Sequence, residues 1–376
     1  MYTDSEKDTP GFGDQGDTGE ESPNPLIPTN ISLLELSKED LQLLLLDWGE
    51  ARFRAEQVWG WLYRRLAAGA EEMTDLPKPL RDRLAAEAVW DPLIPLATLN
   101  SKDGQTRKVL FALPDGAQVE AVLMHYTRRH TLCISTQAGC ALGCSFCATG
   151  QGGFERNLTA GEIVAQVLFY ARQLAAAGLR VTNIVFMGMG EPLANYDATW
   201  TAIRRLNDPS GFGLGARAMT LSTVGLVPGI RRMAQEPEQV GLAISLHAAD
   251  DDLRDRLVPV NRRYPLAQLM EACHDYIRQT HRRITFEYAL MAGVNDGDQH
   301  AHELAHLLGD MLAQVNLIPL NPTRGTAYAA SPPERVRAFE HVLQARGIAA
   351  TVRLRRGLDI QAGCGQLRLH QRSRDV

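Results

Sequence analysis

Apolar residues recur along this chain with two different periods, and the change from one to the other divides it. From Leu33 to about Val89 the spacing is helical. In LSKEDLQLLLLDWG, Ser37 stands where an N-cap belongs and Gly49 where a helix stops. The next run, FRAEQVWGWLYRRL, places Phe53, Val58, Trp61, Leu62 and Leu66 near one helical face, which predicts a packed core rather than a nucleic-acid platform. From about Gln105 the runs become strand-like. KVLFAL and VEAVLM predict a short antiparallel preface. TLCIS (131–135), VTNIVFMG (181–188), RAMTLST (217–223), VGLAISL (240–246), ITFEYAL (284–290) and QVNLIPL (314–320) follow. Helical stretches separate them near 159–177, 195–206, 228–235, 265–279 and 298–312, and a last helix near 333–346 leads to ATVRLR. Such alternation gives parallel strands joined by right-handed crossovers. Six units predict an α/β fold: a partial (β/α)6 TIM-like barrel with a small N-terminal helical domain. In barrels the reactive groups gather where strands end and loops begin.

The expected organisation is a disordered acidic tail over 1–30, a helical domain over 31–95 and the barrel over 105–368, including a C-terminal cysteine loop. A length of 376 residues, 45% hydrophobic and 22% charged, fits a soluble globular chain of one large domain or two ordinary ones. No apolar run approaches the roughly 18 residues of a membrane span, and the acidic start is unlike a secretory signal. Three of the six cysteines crowd one loop, which favours a reducing cytoplasm over a disulfide framework. The net charge of −5 conceals a split. Seven acids against Lys7 leave residues 1–30 at −6, so the other 346 residues sum to about +1. Arg64-Arg65, Arg128-Arg129-His130, Arg262-Arg263, His281-Arg282-Arg283 and Arg353 with Arg355-Arg356 then permit contact with a phosphate backbone.

Chemistry enters at GCALGCSFCATG, where Cys140, Cys144 and Cys147 stand in the spacing CxxxCxxC. A 4Fe–4S cluster takes one thiolate per iron, so three cysteines leave one iron open for another ligand. A structural zinc would use four ligands, usually as two CxxC pairs, and the chain has no second pair. The spacing, with Phe146 before the last cysteine, resembles the signature of radical S-adenosylmethionine (SAM) enzymes, whose open iron chelates SAM. Other reactive residues fall just past strands: Gly190 and Glu191 after VTNIVFMG, Ser222 ending RAMTLST, Ser245-Leu246-His247 ending VGLAISL, and Asn321 after QVNLIPL. Glu191 offers a carboxylate to a cationic amine. Each of the others alone reads as a cap or hydrogen-bonding residue; as a set they suit the ribose and carboxylate of SAM. Two further thiols stand apart. Cys133 precedes the first cluster cysteine by seven residues, and Cys364 lies among small turn-forming residues in QAGCGQL, which suggests a mobile loop with a reactive thiolate. Cys273, on a helix, reads as an inert small hydrophobe.

The segments CISTQAGCALGCSFCATGQGGFERNLTAGEI, NIVFMGMGEPLANY, AISLHAADDDLRDRLVPVNRRYP, FEYALMAGVND, NLIPLNP and AGCGQL closely resemble the bacterial dual-specificity methyltransferases of 23S rRNA and tRNA. The likeness runs from about residue 33 to 368. It includes FRAEQVWGWLY, similar to that family's N-terminal motif, and implies that the helical domain contacts RNA. The resemblance implies methylation of carbon 2 of adenine, in tRNA at the anticodon-adjacent position, with one 4Fe–4S cluster and two SAM molecules per turnover. One SAM methylates Cys364; a second is cleaved to a radical that activates this methyl for addition to carbon 2. Glu120 is then the base and Cys133 the resolving thiol. Gly190, Glu191, Ser222, Ser245, Leu246, His247 and Asn321 match the SAM-binding positions. An electron donor of flavodoxin type and a thiol reductant are implied as partners, and a monomer is the expected state. ATG after Cys147, TRG after Asn321-Pro322 and RLRRG near the C-terminus depart from the commonest family forms and bear on RNA contact. Two rival readings remain at this point: a carbon 8 methyltransferase sharing the two-cysteine chemistry, and a cluster-bearing sensor or RNA-binding protein without catalysis.

Overall fold

The computed structural model describes residues 31–321, 323 and 326–367. The expected acidic tail, and Arg324-Gly325 of the TRG segment, lie outside the described residues. The helical segment contains α1 (Lys38–Asp47), α2 (Phe53–Tyr63) and α3 (Lys78–Glu87). Ser37 begins α1 as the sequence predicts: its hydroxyl accepts from the Asp40 N–H at 3.0 Å while the Asp40 carboxylate accepts from the Ser37 N–H at 3.3 Å. The aromatic face of α2 differs from expectation. Ala55, Val58, Trp59, Leu62 and Tyr63 are its buried residues, whereas Phe53 is 55% exposed and Trp61 only half-buried. Phe53 lies five residues before Val58, about 140° around the helix, and so points away from the buried stripe. Trp59 Nε1 donates to Asp208 at 2.7 Å, and Arg172 donates to the carbonyls of Leu66 and Ala67, fastening these helices to the barrel.

Ten strands form one sheet: β1 (Ile94–Asn100), β2 (Thr106–Ala112), β3 (Gln118–Tyr126), β4 (Arg129–Cys133), β5 (Asn183–Phe186), β6 (Met219–Thr223), β7 (Gly241–Ser245), β8 (Ile284–Leu290), β9 (Ala313–Pro319) and β10 (Ala350–Val352). Their spatial order equals their chain order. Pairing is antiparallel from β1 to β4 and parallel from β4 to β10. The six expected barrel strands are β4 to β9, and the short β10 continues the parallel run. The crossovers carry α4 (Ala160–Ala176), α5 (Tyr196–Asn207), α6 (Val227–Met233), α7 (Asp251–Leu257), α8 (Leu266–Thr280), α9 (Asp298–Leu308) and α10 (Pro333–Ala345). Helix α9 stops four residues before the predicted end, because Gly309 takes a left-handed φ of 49°. Strand β1 was not expected; all seven of its residues are exposed, which is the pattern of an edge and not the alternation of a half-buried strand. Strands β5 to β9 are rich in Ile, Val, Leu and Phe with no exposed residue, as a parallel sheet covered by helices requires. Their carboxyl ends, at Phe186, Thr223, Ser245, Leu290 and Pro319, make one rim.

Candidate active site

A cavity of about 900 Å3, counted to its open mouth, sits on that rim. Cys144, Cys147, Gly190, Glu191, Ser222, Ser245, His247, Asn321 and Cys364 all contribute to its wall. Residues from six loops far apart in sequence therefore meet in one place. Among the predicted cluster and SAM-binding residues, two do not line it. Cys140 stands behind the wall, where its N–H donates to the Gly153 carbonyl at 2.7 Å. The Leu246 side chain is in the hydrophobic core, and its backbone is committed, N–H to Glu287 at 3.0 Å and carbonyl to Arg254 at 3.0 Å.

The cluster loop leaves β4 through a small hairpin, Gln137–Gly139 against Phe154–Asn157. Gln137 ties this hairpin to the next loop by accepting from the Glu191 N–H at 2.8 Å. Gly190 has φ +99°, and a Cβ there would lie 2.5 Å from Gln137 Cβ, so only glycine admits this approach. The Glu191 carboxylate accepts from the N–H groups of Leu193 (3.0 Å) and Val224 (2.9 Å). Burial still outweighs these bonds and raises its pKa to about 7. A cationic partner in the cavity would restore the charged form. Ser222 and Ser245 hydroxyls meet at 3.2 Å. His247, at φ 64°, accepts through Nδ1 from the Ala289 N–H at 3.0 Å; burial and then Arg254 lower its pKa to about 3, so the imidazole stays neutral. Burial raises the Cys140 thiol to about 11 and Cys144 well above its ordinary range. Binding iron reverses that preference, because the metal displaces the thiol proton.

Cys364 lies in a strap, residues 357–367, that closes one side of the cavity. Its carbonyl accepts from Asn321 Nδ2 at 3.2 Å, and the next carbonyl, of Gly365, accepts from the Ala148 N–H at 2.8 Å. The thiol is half-buried, not open as the sequence suggested; burial raises its pKa while Arg353 pulls it back. Cys364 also lines a second cavity with Cys133, Met124, Tyr126, Arg353, Arg355 and Arg356. Burial lifts the Cys133 thiol to about 12, with a further push from Cys364. Cys273 is buried in the hydrophobic core, as a small apolar residue on its helix. Glu120 lines neither cavity. Its carboxylate pairs with Lys108 at 2.8 Å, facing a third space beside Asp359, Ile360 and Gln361.

Sequence reasoning missed three residues. Arg254 has no exposed surface and donates to the carbonyls of Leu246 (3.0 Å) and Val224 (2.6 Å) and to Asn261 Oδ1 (2.6 Å), pinning the loops after β6 and β7. Glu287 is buried in the cavity wall, and Arg353, 3.8 Å from it, borders both cavities. Arg254 lies within AISLHAADDDLRDRLVPVNRRYP and Glu287 within FEYALMAGVND, two of the segments that carry the resemblance, and Arg353 stands in one of the basic clusters, but none was assigned a place in the site.

The residues fit a SAM-binding cluster site. Asn321 Oδ1 is buried without a partner among the described residues and awaits a donor. Glu191 awaits a cation, and the three cysteines of one loop supply one thiolate per iron. No three such side chains converge for a single metal ion among the described residues; cluster ligands, one per iron, stand wider apart. A strand-ordered partial barrel with a three-cysteine loop on its carboxyl rim defines a radical SAM enzyme. Residues 134–305 match the Radical SAM superfamily, and residues 31–89 match the ribosomal RNA large subunit methyltransferase N-terminal domain. The chain is 52% identical to the probable dual-specificity RNA methyltransferase RlmN of Moorella thermoacetica, over 92% of this chain and 99% of that protein. It is 48% identical to dual-specificity RNA methyltransferase RlmN of Alkalilimnicola ehrlichii, over 90% and 93%. A crystal structure of a radical SAM methyltransferase from Sphaerobacter thermophilus superposes with a TM-score of 0.88 at 53% identity, covering 90% of this chain and 99% of that one. The chain belongs to the RlmN family of dual-specificity RNA methyltransferases and takes the cofactors of a radical SAM enzyme, a 4Fe–4S cluster and SAM.

Proposed function

We propose that this enzyme methylates carbon 2 of adenine in 23S rRNA and in tRNA, at the anticodon-adjacent adenine, with Cys364 carrying the methyl group from SAM to RNA. One observation carries the reading: Cys364 borders both the cavity with the cluster cysteines and Glu191 and the arginine-rimmed cavity that holds Cys133. Carbon 2 is electron-poor and its hydrogen is not acidic, so direct polar transfer from SAM is unfavourable. When bound, the cluster and SAM supply an electron and a primary carbon radical strong enough to activate a methyl group.

The chain's own residues arrange the rest. The Cys364 sulfur accepts a methyl from a first SAM and holds it at the junction of the cavities. Glu191 faces the amino group of SAM, Ser222 and Ser245 its ribose, and the free Asn321 oxygen a polar hydrogen. Met124 and Tyr126 line the second cavity and share a face of β3 with Glu120; to take the carbon 2 proton once the new bond has formed, Glu120 must leave its pairing with Lys108, which holds it outside that cavity. The electron left unpaired by addition returns to the redox centre that supplied it, which leaves a closed-shell thioether between Cys364 and the adenine; the Cys133 thiolate then attacks the Cys364 sulfur, the released carbon takes a proton from solvent to become methyl, and a disulfide remains. Each turnover thus consumes two SAM molecules and requires thiol reduction, as well as an electron donor of flavodoxin type. This assigns the enzyme to a reducing cytoplasm. A single chain supplies every group in the scheme, so a monomer suffices. The basic clusters and the N-terminal helices grip the RNA, whose unpaired adenine is splayed out for reaction.

The test is anaerobic reaction of cluster-reconstituted enzyme with SAM, a reductant and either RNA, followed by mass spectrometry of nucleosides. 2-Methyladenosine is expected from both RNAs, and none from Cys364→Ala despite normal cluster content. 8-Methyladenosine, or methylated RNA from Cys364→Ala, would overturn the reading.

A further inference from the structure

We propose that Arg353 is a further substrate-binding residue, whose guanidinium donates to one of the two ring nitrogens flanking carbon 2 and polarises the adenine for addition. The inference rests on the carbon 2 reading above. Arg353 follows β10, fixed by its N–H donating to the Leu317 carbonyl at 2.8 Å. Its side chain turns inward and borders both cavities beside Cys133 and Cys364. Guanidinium carries five donors. Among the described residues the contacts of this one are long: Glu287 at 3.8 Å and the Met187 sulfur at 3.8 Å. The other nearby cations are engaged or turned outward. Arg254 is saturated by oxygen acceptors, Arg356 is held against Tyr126 at 4.4 Å and bonds Gln105 although its buried Nε has no partner among the described residues, and Arg355 is exposed. A half-buried guanidinium with unfilled donors calls for an acceptor.

The lining of the second cavity indicates which acceptor. Met124, Met187, Ile318, Leu367 and Tyr126 give it apolar walls, which suit the faces of a base better than a phosphate. Carbon 2 must approach a carbon borne on Cys364, and its ring neighbours N1 and N3 then lie on the side of the adjacent cation. Addition makes one bond from the Cys364-borne methylene carbon to carbon 2, opens one ring C=N π bond and leaves the unpaired electron on the flanking nitrogen. A radical next to sulfur is electron-rich, so it adds fastest to a ring made more electron-poor. A charged donor on N1 or N3 does that, and it strengthens as the nitrogen gains electron density in the transition state.

The test uses enzyme whose methyl load on Cys364 is first fixed by mass spectrometry, so that the earlier methylation does not enter. Single-turnover transfer is measured to anticodon hairpins carrying adenine, 1-deazaadenine or 3-deazaadenine at the target. One deaza analogue is expected to slow wild-type transfer by about 100-fold, the usual loss for one such donor. Arg353→Met should slow transfer to adenine by a similar factor, yet slow that same analogue no further, and Arg353→Lys should recover part of the loss. Wild-type transfer indifferent to both analogues overturns the proposal, as do losses from Arg353→Met and each analogue that multiply in full. Absence of 2-methyladenosine from wild type with ordinary adenine would instead sink the carbon 2 reading itself.

Discussion

Arg254 offers the sharpest test of how the fold builds the cavity. It is fully buried, and its guanidinium reaches the Leu246 and Val224 carbonyls and Asn261 Oδ1 at 2.6–3.0 Å. Asn261 is held in turn by Asp251 and Asp255, each at 2.8 Å. Burial lowers the Arg254 pKa to about 10, which still leaves it charged at neutral pH. Replacement by Met keeps most of the volume and removes every donor. These three acceptors, and the Ser245 carbonyl at 3.4 Å, then lose a partner inside the protein, at about 1–3 kcal/mol for each that water cannot reach. Breaking one side of a buried charged network costs about 3–5 kcal/mol in all.

The expected outcome is a fall of about 3–5 kcal/mol in the unfolding free energy of the cluster-free protein, read by urea denaturation under reducing conditions. SAM binding to the reconstituted enzyme should weaken as well, because Val224 presents its N–H to Glu191 and Leu246 precedes His247. Arg254→Lys keeps the charge but not the planar fork, and should fall between the two. A loss under about 1 kcal/mol in Arg254→Met, with SAM affinity unchanged, would refute the idea that one guanidinium positions both loops.

Gly190→Ala places a Cβ within 2.8 Å of the Gln137 backbone nitrogen and should lower both cluster content and SAM affinity, with a stability cost of about 1–3 kcal/mol; iron and sulfide analysis with calorimetry checks this. Glu191 has a folded-state pKa raised from 4.5 to about 7, so the folded chain keeps a proton that the unfolded chain releases. Its contribution therefore makes the cluster-free protein less stable as pH rises from about 4.5 to about 7, by an amount on the order of 3 kcal/mol. Denaturation of wild type and Glu191→Gln at pH 5 and 8 should show that decline in wild type and a smaller one in the variant; equal declines would contradict it. Cys133→Ala should accumulate RNA joined covalently to Cys364, visible on denaturing gels, and normal release of free methylated RNA would argue against a resolving thiol.

The periodicity of the chain made β4 to β9 and most helices legible, because a buried parallel sheet imposes continuous apolar runs and its helices a 3.6-residue stripe. Strand β1 escaped because an exposed edge imposes neither. The cavity residues were legible where chemistry is crowded, as in the three-cysteine loop, or where a glycine stands beside an acid, as at Gly190-Glu191. Arg254 and Glu287 were not, since a lone charge in an ordinary helix or strand acquires meaning only from the carbonyls or cations the fold brings to it. Arg353 was visible only as one of several basic clusters; its inward direction follows from the β9–β10 pairing. Glu120 shows the opposite limit: its role came from the resemblance alone, and its carboxylate stands off the cavity wall because Lys108 on the neighbouring strand β2 claims it.

The strap holds Cys364 at the boundary of two cavities, the position that the proposed transfer requires, without a large swing of the chain. Asp359 accepts from the Lys102 N–H at 2.8 Å, and the Gln361 carbonyl accepts from Lys108 Nζ at 3.1 Å, which fastens the strap to β2 and the turn before it. Asn321 holds the Cys364 carbonyl from the loop after β9, while Ala148 and Thr149 hold Gly365 and Leu367 from the cluster loop. A Cβ on Gly363 would collide with Asn321 Nδ2 at 2.5 Å, so the strap can press against that loop only because the residue is glycine. Four separate segments thus fix the sulfur at the shared wall. In the proposed scheme preorganisation of this kind replaces motion with orientation: a carbon borne on that sulfur passes from one cavity to the other by rotation about side-chain bonds alone.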